Sequence, residues 1–329
     1  MRAPEFWAGH DHMARLAIAA LTPIGWAYGA TVAYKAAHVK PYRSTAKVIC
    51  VGNLTSGGTG KTPVAVAIAR RLVNNGCKTF ILTRGYGGRM HGPTLVDPQT
   101  HTASQVGDES LLLATAAPTI VSRDRAAGAK VAEAHSADVI VMDDGHQNFS
   151  LAKDLSLLVV DAEQGFGNGR MLPAGPLREP VSRGLQRADT VVLMGEGELD
   201  LMAERPVVHA RLLPLDAEKF RGRRVIAFAG IGRPEKFFQT LKQIGAEIVS
   251  RRPFADHHIY SSAELARLRD EARKSGSVLI TTEKDYVRLT PKQSEGIHYL
   301  QVQAEFKDFN FLDRLVHNLA RAGAEPIPA

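Results

Sequence analysis

The stretch Val51-Gly52-Asn53-Leu54-Thr55-Ser56-Gly57-Gly58-Thr59-Gly60-Lys61-Thr62-Pro63 constrains this chain more than any other. The apolar run Ala46 to Val51 leads through glycines into Lys-Thr and then into an alanine-rich segment of helical pattern. That is the order strand, phosphate-binding loop, helix. Glycines let successive backbone N–H groups turn inward around phosphate oxygens, Lys61 can reach the β- and γ-phosphates, and the Thr62 hydroxyl can ligate Mg²⁺ at a helix N-terminus. The nucleotide-binding residues on this reading are Thr55, Gly57, Gly58, Thr59, Gly60, Lys61 and Thr62. Thr55 stands where the usual pattern has its first glycine. A plain glycine turn is the competing reading, and the placing of Lys61-Thr62 at the helix start argues against it.

At 329 residues, 44% of them hydrophobic, the chain can build two domains with their own cores and is too apolar to be disordered. A formal charge of +7 and a pI near 9.4 favour anionic partners, among which nucleotides, phosphorylated substrates, acidic headgroups and nucleic acid all qualify. Cys50 and Cys77 have neither paired spacing nor a metal-ligand pattern, which points to a reducing compartment and no structural zinc.

Leu16 to Tyr34 is nineteen residues without a charge, bounded by Arg15 on one side and by Lys35, Lys40, Arg43 and Lys47 on the other. As a helix it is roughly 28 Å long, close to the ~30 Å hydrocarbon thickness of a bilayer. Pro23, Gly25 and Gly29 weaken it, and Trp26 and Tyr28 sit mid-segment, so spanning and shallow insertion both stay open, as does a buried helix packed on the protein body. A cleaved signal peptide is disfavoured, because a phosphate-binding loop needs cytosolic nucleotide. The positive charge after the segment puts the rest of the chain on the cytoplasmic side.

Ala46 to Val51, Pro63 to Asn74 and Lys78 to Thr83 form a βαβ unit. Arg84-Gly85-Tyr86-Gly87-Gly88-Arg89 follows at the strand's carboxyl end, where ligands bind in open parallel sheets; a simple turn is the equal alternative. The loop Met90 to Gly107 lacks a period, so it is functional or mobile, and it delivers Gly107-Asp108-Glu109-Ser110 to a helix start. Ser122-Arg123-Asp124-Arg125 caps a helix through Ala134. Ala137 to Met142 is a buried strand ending in Asp143-Asp144-Gly145-His146-Gln147. An apolar strand that terminates in acid is the expected second half of a phosphate-loop site, where a carboxylate holds Mg²⁺ or its water; exposed turn aspartates are the plainer reading. Gly165 to Pro180 follows no hydrophobic period and reads as an ordered functional loop, with Arg170 and Arg178 available to anions.

After a strand at Thr190 to Met194 the pattern restarts. Pro206 to Leu213 looks extended and could be a linker strand; Arg224 to Ala229, Glu247 to Val249, Val278 to Thr281 and Tyr299 to Val302 are strand candidates, with helices near Ser262 to Lys274 and Asn310 to Arg321. Gly230-Ile231-Gly232 lacks the third glycine of a dinucleotide fingerprint and is assigned no cofactor. Phe254-Ala255-Asp256-His257-His258 lies between these strands, and adjacent histidines usually just face solvent. The predicted architecture is α/β: a membrane-associating helix over residues 1–40, a phosphate-loop domain with a parallel sheet in an α/β/α sandwich over 41–205, and a smaller α/β domain over 206–329.

Taken together, VGNLTSGGTGKTP, TRGYGG, Gly107-Asp108-Glu109, the strand ending DDG-x-Q, GNGRMLPAGPLREP, FADHH, TTEKD and the apolar N-terminal segment resemble the tetraacyldisaccharide 4'-kinase family of lipid A biosynthesis. Thr55 is compatible with that family's form of the loop. The resemblance implies transfer of the ATP γ-phosphate to the 4'-hydroxyl of an acylated glucosamine disaccharide 1-phosphate at the bacterial inner membrane, with the catalytic body on the cytoplasmic face. It further implies that Asp108 and His257 form the catalytic pair alongside Lys61. Thr62, Glu109, Asp143 and Asp144 would organise Mg²⁺, while Arg125 and Arg170, with Arg84 and Tyr86, would meet the substrate. Another membrane-associated phosphate-loop kinase of a phosphorylated glycolipid, or a nucleotide-gated membrane switch, are the alternatives. ATP is preferred over GTP because no Asn-Lys-x-Asp base-recognition motif occurs. Dispersed basic residues and the lack of a recognised module argue against nucleic acid.

Overall fold

The computed structural model describes residues 4–9, 11–199, 205–308, 310–311 and 313–315. Helix α1 (His12–His38) is capped by the Asp11 carboxylate, which accepts the Ala14 N–H at 2.8 Å. It runs unbroken through Pro23, and two of the residues expected to weaken it, Gly25 and Gly29, are among its few buried positions. Both lie against Met171, so close that a Cβ on Gly29 would sit 2.4 Å from the Met171 sulfur. Leu16, Ile24, Trp26 and Tyr34 are more than half exposed. A core helix would bury such side chains, so the reading of α1 as a buried helix does not hold; its apolar surface faces outward.

The chain then builds a nine-stranded sheet. β1 (Lys47–Gly52) leads through the glycine loop into α2 (Lys61–Asn74), followed by β2 (Thr79–Thr83), β3 (Thr94–Leu95), α3 (Ala103–Val106), α4 (Asp108–Leu113), β4 (Thr119–Val121) and α5 (Arg125–Ala134). β5 (Val139–Asp143), β6 (Leu155–Asp161), α6 (Val181–Gln186), β7 (Thr190–Met194) and β8 (Val207–Pro214) come next. A second unit contains β9 (Arg224–Ala229), α7 (Pro234–Gln243), β10 (Glu247–Pro253), α8 (Ser262–Ser275), β11 (Val278–Thr282), α9 (Glu283–Tyr286) and β12 (Ile297–Leu300), after which β13 (Val302–Phe306) returns to the first sheet. The strand orders are β13-β8-β7-β6-β1-β5-β2-β4-β3 and β10-β9-β11-β12. Pairing is parallel everywhere except at the two edges of the large sheet, β3 with β4 and β13 with β8.

Alternation along β1 explains why its strand is apolar throughout. Ile49 and Val51 pack on Val64, Ala65, Ile68 and Leu72 of α2, while Val48 and Cys50 face the opposite layer with Leu82, Ile140 and Ala129 of α5. A parallel strand covered on both faces has no polar side to show. Burying each larger aliphatic of this set contributes about 1.5–3 kcal/mol, which fixes α2, and with it the loop before it, against the sheet. β1 lies between β5 and β6, so the chain leaves its carboxyl end and crosses β5 to reach β2. That is the switch point where open α/β sheets bind ligands.

Two expectations about the second half change. The division at residue 205/206 does not coincide with the boundary between sheets, because β8 and β13 both belong to the large sheet. Pro206 to Leu213 is therefore a strand of that sheet, paired with β7 on one side and β13 on the other. The single strand expected over Tyr299 to Val302 is the join between β12 and β13, where the chain passes from one sheet to the other at Gln301. Most of the helix expected over Asn310 to Arg321 lies outside the described residues.

Candidate active site

The glycine loop is held from several sides. Gly57 and Gly60 adopt φ of 129° and 89°, which a side-chain-bearing residue rarely tolerates. The Asn53 amide donates to the Thr55 carbonyl at 2.8 Å and the Thr59 hydroxyl at 3.2 Å. Ser56 N–H reaches the Pro176 carbonyl and Arg178 N–H the Leu54 carbonyl, both at 2.7 Å. Thr55 forms a bridge with Leu177, an extended conformation that a β-branched residue suits, so the absent glycine is explained by local pairing. Lys61 opens α2, and its ammonium lies 3.8 Å from the Asp144 carboxylate.

Asp143 and Asp144 have opposite environments. Asp143, at the end of β5, is fully buried, and neither of its carboxylate oxygens has a hydrogen-bond partner. Burial, then the charges of Glu109 and Asp144, push its carboxyl up to about 7, against the pull of Lys61 and Arg125. Asp144, at φ 51°, turns away and meets Arg178 at 2.8 Å. Burial would raise its carboxyl, but Lys61 and Arg178 outweigh that and hold it at about 2. Two orphaned, buried carboxylate oxygens beside a phosphate loop fit a cation, and Asp143 is the residue that would hold Mg²⁺, with Thr62 at the start of α2. Among the described residues no group of three or more His, Cys, Asp or Glu is assembled as a metal cage. Glu109 and Asp144, the other two expected ligands, are instead paired with Lys284 at 2.8 Å and with Arg178.

A second cluster forms where the two sheets meet. Gly107, at φ 88°, lets the start of α4 pass under the Tyr86 turn; a Cβ there would come 2.5 Å from the Tyr86 carbonyl. Gly85 and Gly88 of the TRGYGG segment pack as closely, with a Cβ meeting the Val106 and Gln105 carbonyls within 3 Å, and the exposed Tyr86 ring lies 5.4 Å from that of His257. Asp108 is sealed in. Its Oδ1 accepts the Glu109 N–H at 2.8 Å, and its Oδ2 accepts His257 Nδ1–H at 3.0 Å and Arg288 Nε–H at 2.7 Å. Burial alone would raise this carboxyl, yet the His257 hydrogen bond and the charges of Lys284 and Arg288 hold it well below the usual carboxylate range. Arg288 also donates to Asp285, a fully buried carboxylate that takes further hydrogen bonds from Tyr260, Thr282 and the Gly230 N–H. The His257 ring, by contrast, keeps 28% of its side chain exposed, and its Nε2 lies 3.8 Å from the Asp256 carboxylate.

The remaining expected residues are dispersed. Arg125 is buried, bonded to the Ser122 carbonyl, and pushed down to about 10 by burial while Asp143 and Asp144 pull it up; it is a countercharge beneath the acid pair. Arg84 is exposed. Arg170 lines a 310 Å³ groove between α1 and the 169–182 segment, together with Trp26, Met171 and Leu177. Sequence reasoning did not single out Arg288 or Asn53; the TTEKD motif ends only three residues before Arg288, which was the available signal.

The arrangement serves transfer of a phosphoryl group from a nucleotide gripped by one sheet to an acceptor met at the seam with the other, the work of a phosphate-loop kinase. A family model, LpxK, described as tetraacyldisaccharide-1-P 4'-kinase, matches residues 17–320. The tetraacyldisaccharide 4'-kinase of Rhodospirillum centenum is 50% identical over 96% of each chain, and that of Rhodospirillum rubrum 49% identical over 97% of this chain and 98% of its own. The fold is similar to that of LpxK from Aquifex aeolicus, solved as an "apo" form in complex with ATP, with a TM-score of 0.76 and 26% identity over 92% of this chain and 99% of that one. The chain belongs to the tetraacyldisaccharide 4'-kinase family.

Proposed function

We propose that the chain transfers the γ-phosphate of ATP to the 4'-hydroxyl of tetraacyldisaccharide 1-phosphate, with the glycine loop holding the nucleotide and His257 taking the acceptor's proton. The observation that carries the division of labour is the state of Asp108. Both of its oxygens accept hydrogen bonds and it is nearly buried, so the more exposed His257 ring is the better placed of the two to meet an incoming hydroxyl. Its contact with Nδ1 favours the tautomer that carries its proton there and leaves Nε2 as the ring's basic nitrogen, as in other acid-oriented imidazoles. The 4'-hydroxyl proton passes to Nε2 as its oxygen bonds to the γ-phosphorus. The bond from that phosphorus to the β,γ-bridging oxygen breaks, and ADP leaves. Lys61 and the loop N–H groups neutralise charge on the transferring group. Mg²⁺, held by Asp143 and Thr62 when bound, would neutralise phosphate charge further.

The substrate side of the reading rests on the groove between α1 and the 169–182 segment. Its lining is largely apolar with Arg170 at hand, a combination that suits acyl chains near a phosphate, with Arg84 and Tyr86 on the sugar side. The same segment carries Arg178, bonded to Asp144, so lipid and nucleotide would meet through one loop. The outward apolar face of α1 supports attachment to the cytoplasmic face of the inner membrane. Transfer of label from γ-³²P-ATP to tetraacyldisaccharide 1-phosphate in detergent micelles, resolved by thin-layer chromatography, tests the activity; no labelled lipid with the folded protein would refute it. Deleting residues 1–34 should abolish flotation with liposomes and raise KM for the lipid more than for ATP. Full flotation of the truncated chain would move the anchor elsewhere.

A further inference from the structure

The transfer cluster is not the only place where the small sheet's unit touches the large one. At the N-terminus of α7, the Arg233 guanidinium donates to the Gly58 carbonyl at 3.0 Å and to the Asp161 carboxylate, through the same terminal nitrogen. Lys236, one turn on, reaches the same Asp161 oxygen at 3.1 Å and Glu163 at 2.8 Å. Asp161 is nearly buried at the end of β6, the strand beside β1, and its other oxygen accepts the backbone N–H groups of Glu163 and Gln164. It is a fixed anchor. A Cβ built on Gly57 or Gly58 would meet nothing within 4 Å, so the side of the loop that Arg233 approaches is uncrowded.

We propose that Arg233 is a positioning residue for nucleotide binding, which sets the direction of the Thr59 N–H by holding the Gly58 carbonyl from the other sheet. A peptide unit is planar and trans, so its C=O and N–H point in opposite directions. Drawing the Gly58 oxygen outward onto Arg233 aims the Thr59 N–H into the concavity of the loop, where a phosphate oxygen would accept it. Asn53 holds the Thr59 side chain from the inner side, so this residue is fixed at both ends only while Arg233 is in place. The consequence is a link between the two sheets: the loop has its full set of aimed donors only when α7 is docked on Asp161. His257 and Arg288, on the same unit as Arg233, meet Asp108 in that same docked arrangement. Grip on the nucleotide and assembly of the transfer cluster are therefore coupled.

The inference rests on the reading of the glycine loop as the nucleotide site, and the experiment separates the two. Binding of AMP-PNP with Mg²⁺ to the full chain is measured by calorimetry for wild type, Lys61→Ala, Arg233→Met, Arg233→Lys, Asp161→Asn and Glu163→Gln. Arg233→Met and Asp161→Asn should each raise Kd roughly 10-fold, the scale of one charge-assisted hydrogen bond. Lysine at 233 should recover part of the loss, and Glu163→Gln, which trims an exposed ion pair with Lys236 and Arg233, should lose less affinity than Asp161→Asn. KM for the lipid at saturating ATP should stay within about twofold in Arg233→Met, since Arg233 touches Gly58 and Asp161 and not the groove beside α1. Wild-type Kd in Arg233→Met and Asp161→Asn, alongside weakened binding in Lys61→Ala, would overturn the positioning role alone. Wild-type Kd in all three would overturn the nucleotide site itself. A parallel fall of nucleotide binding, lipid binding and melting temperature would reduce Arg233 to a structural contact.

Discussion

The two functional regions of this molecule are built on opposite plans. The nucleotide loop draws its main parts from one continuous stretch, β1 to α2, completed by the strand end at Asp143 and a loop through Arg178. The transfer cluster draws Asp108 and Glu109 from the large sheet's side and His257, Lys284 and Arg288 from the small sheet's side, with 149 residues between the members of its central pair. A site built mainly within one sheet is largely preformed by the packing of that sheet, with Arg233 of the other sheet trimming a single peptide of the loop. A site made across two sheets exists only as long as they stay docked, and its cross-seam ion pairs and hydrogen bonds set a basic side chain or imidazole of the small unit against an acid or carbonyl of the large one.

If the loop is the self-contained region, removing its charge should be the most damaging change, without disturbing the seam. Lys61→Ala should lower transfer by roughly 10³–10⁵, the range of charge-neutralising groups in phosphoryl transfer. Its circular dichroism should match wild type. Near-normal turnover with ATP and Mg²⁺ would remove the loop from the mechanism.

The seam predicts a smaller and different loss. His257→Ala should lower kcat by roughly 10²–10⁴, the range of general acid–base catalysis, with KM for ATP little changed. A change mainly in KM for the lipid would recast His257 as a substrate contact and blur the distinction between the regions.

The smallest expected effect reads on stability. Burial, with the charges of Glu109 and Asp144, pushes the Asp143 carboxyl up to about 7 in the folded chain against roughly 3.9 in an unfolded one. Between those values the folded state keeps a proton that the unfolded state has released, so stability contributed at low pH is lost as pH rises from about 4 to about 7. Asp143→Asn removes that loss. The nucleotide-free variant should melt higher than wild type at pH 8, by roughly 2–4 °C for each kcal/mol recovered, and its melting temperature should fall less across that window. Identical pH dependence in both proteins would mean that Asp143 is not the strained carboxylate of the loop region.

The same contrast explains what the sequence made legible. The phosphate loop, the acid-ended strand and the alternation of apolar residues are local patterns, and the fold placed each where its pattern pointed. The pairing of Asp108 with His257 left no local trace; it came from resemblance to a family, since neither residue's neighbours reveal the other. Arg288 was missed for the same reason, because nothing in its own stretch shows that a carboxylate from another sheet will be its partner. The 205/206 division does not follow the sheets because a strand's pattern does not name its sheet. Pro206 to Leu213 reads as a possible linker strand and Tyr299 to Val302 as a single strand, yet long-range pairing joins β8 and β13 in the large sheet.

The central claim is that Asp108 and His257 act as one unit across the seam, with Asp108 serving only to orient the imidazole. The direct measurement is kcat for Asp108→Ala, His257→Ala and the double variant, with the metal dependence of each. The account predicts that the double variant is barely slower than the slower single one, because an orienting acid has nothing left to orient once the imidazole is gone. Strictly multiplicative losses, or a changed Mg²⁺ requirement in Asp108→Ala, would contradict it.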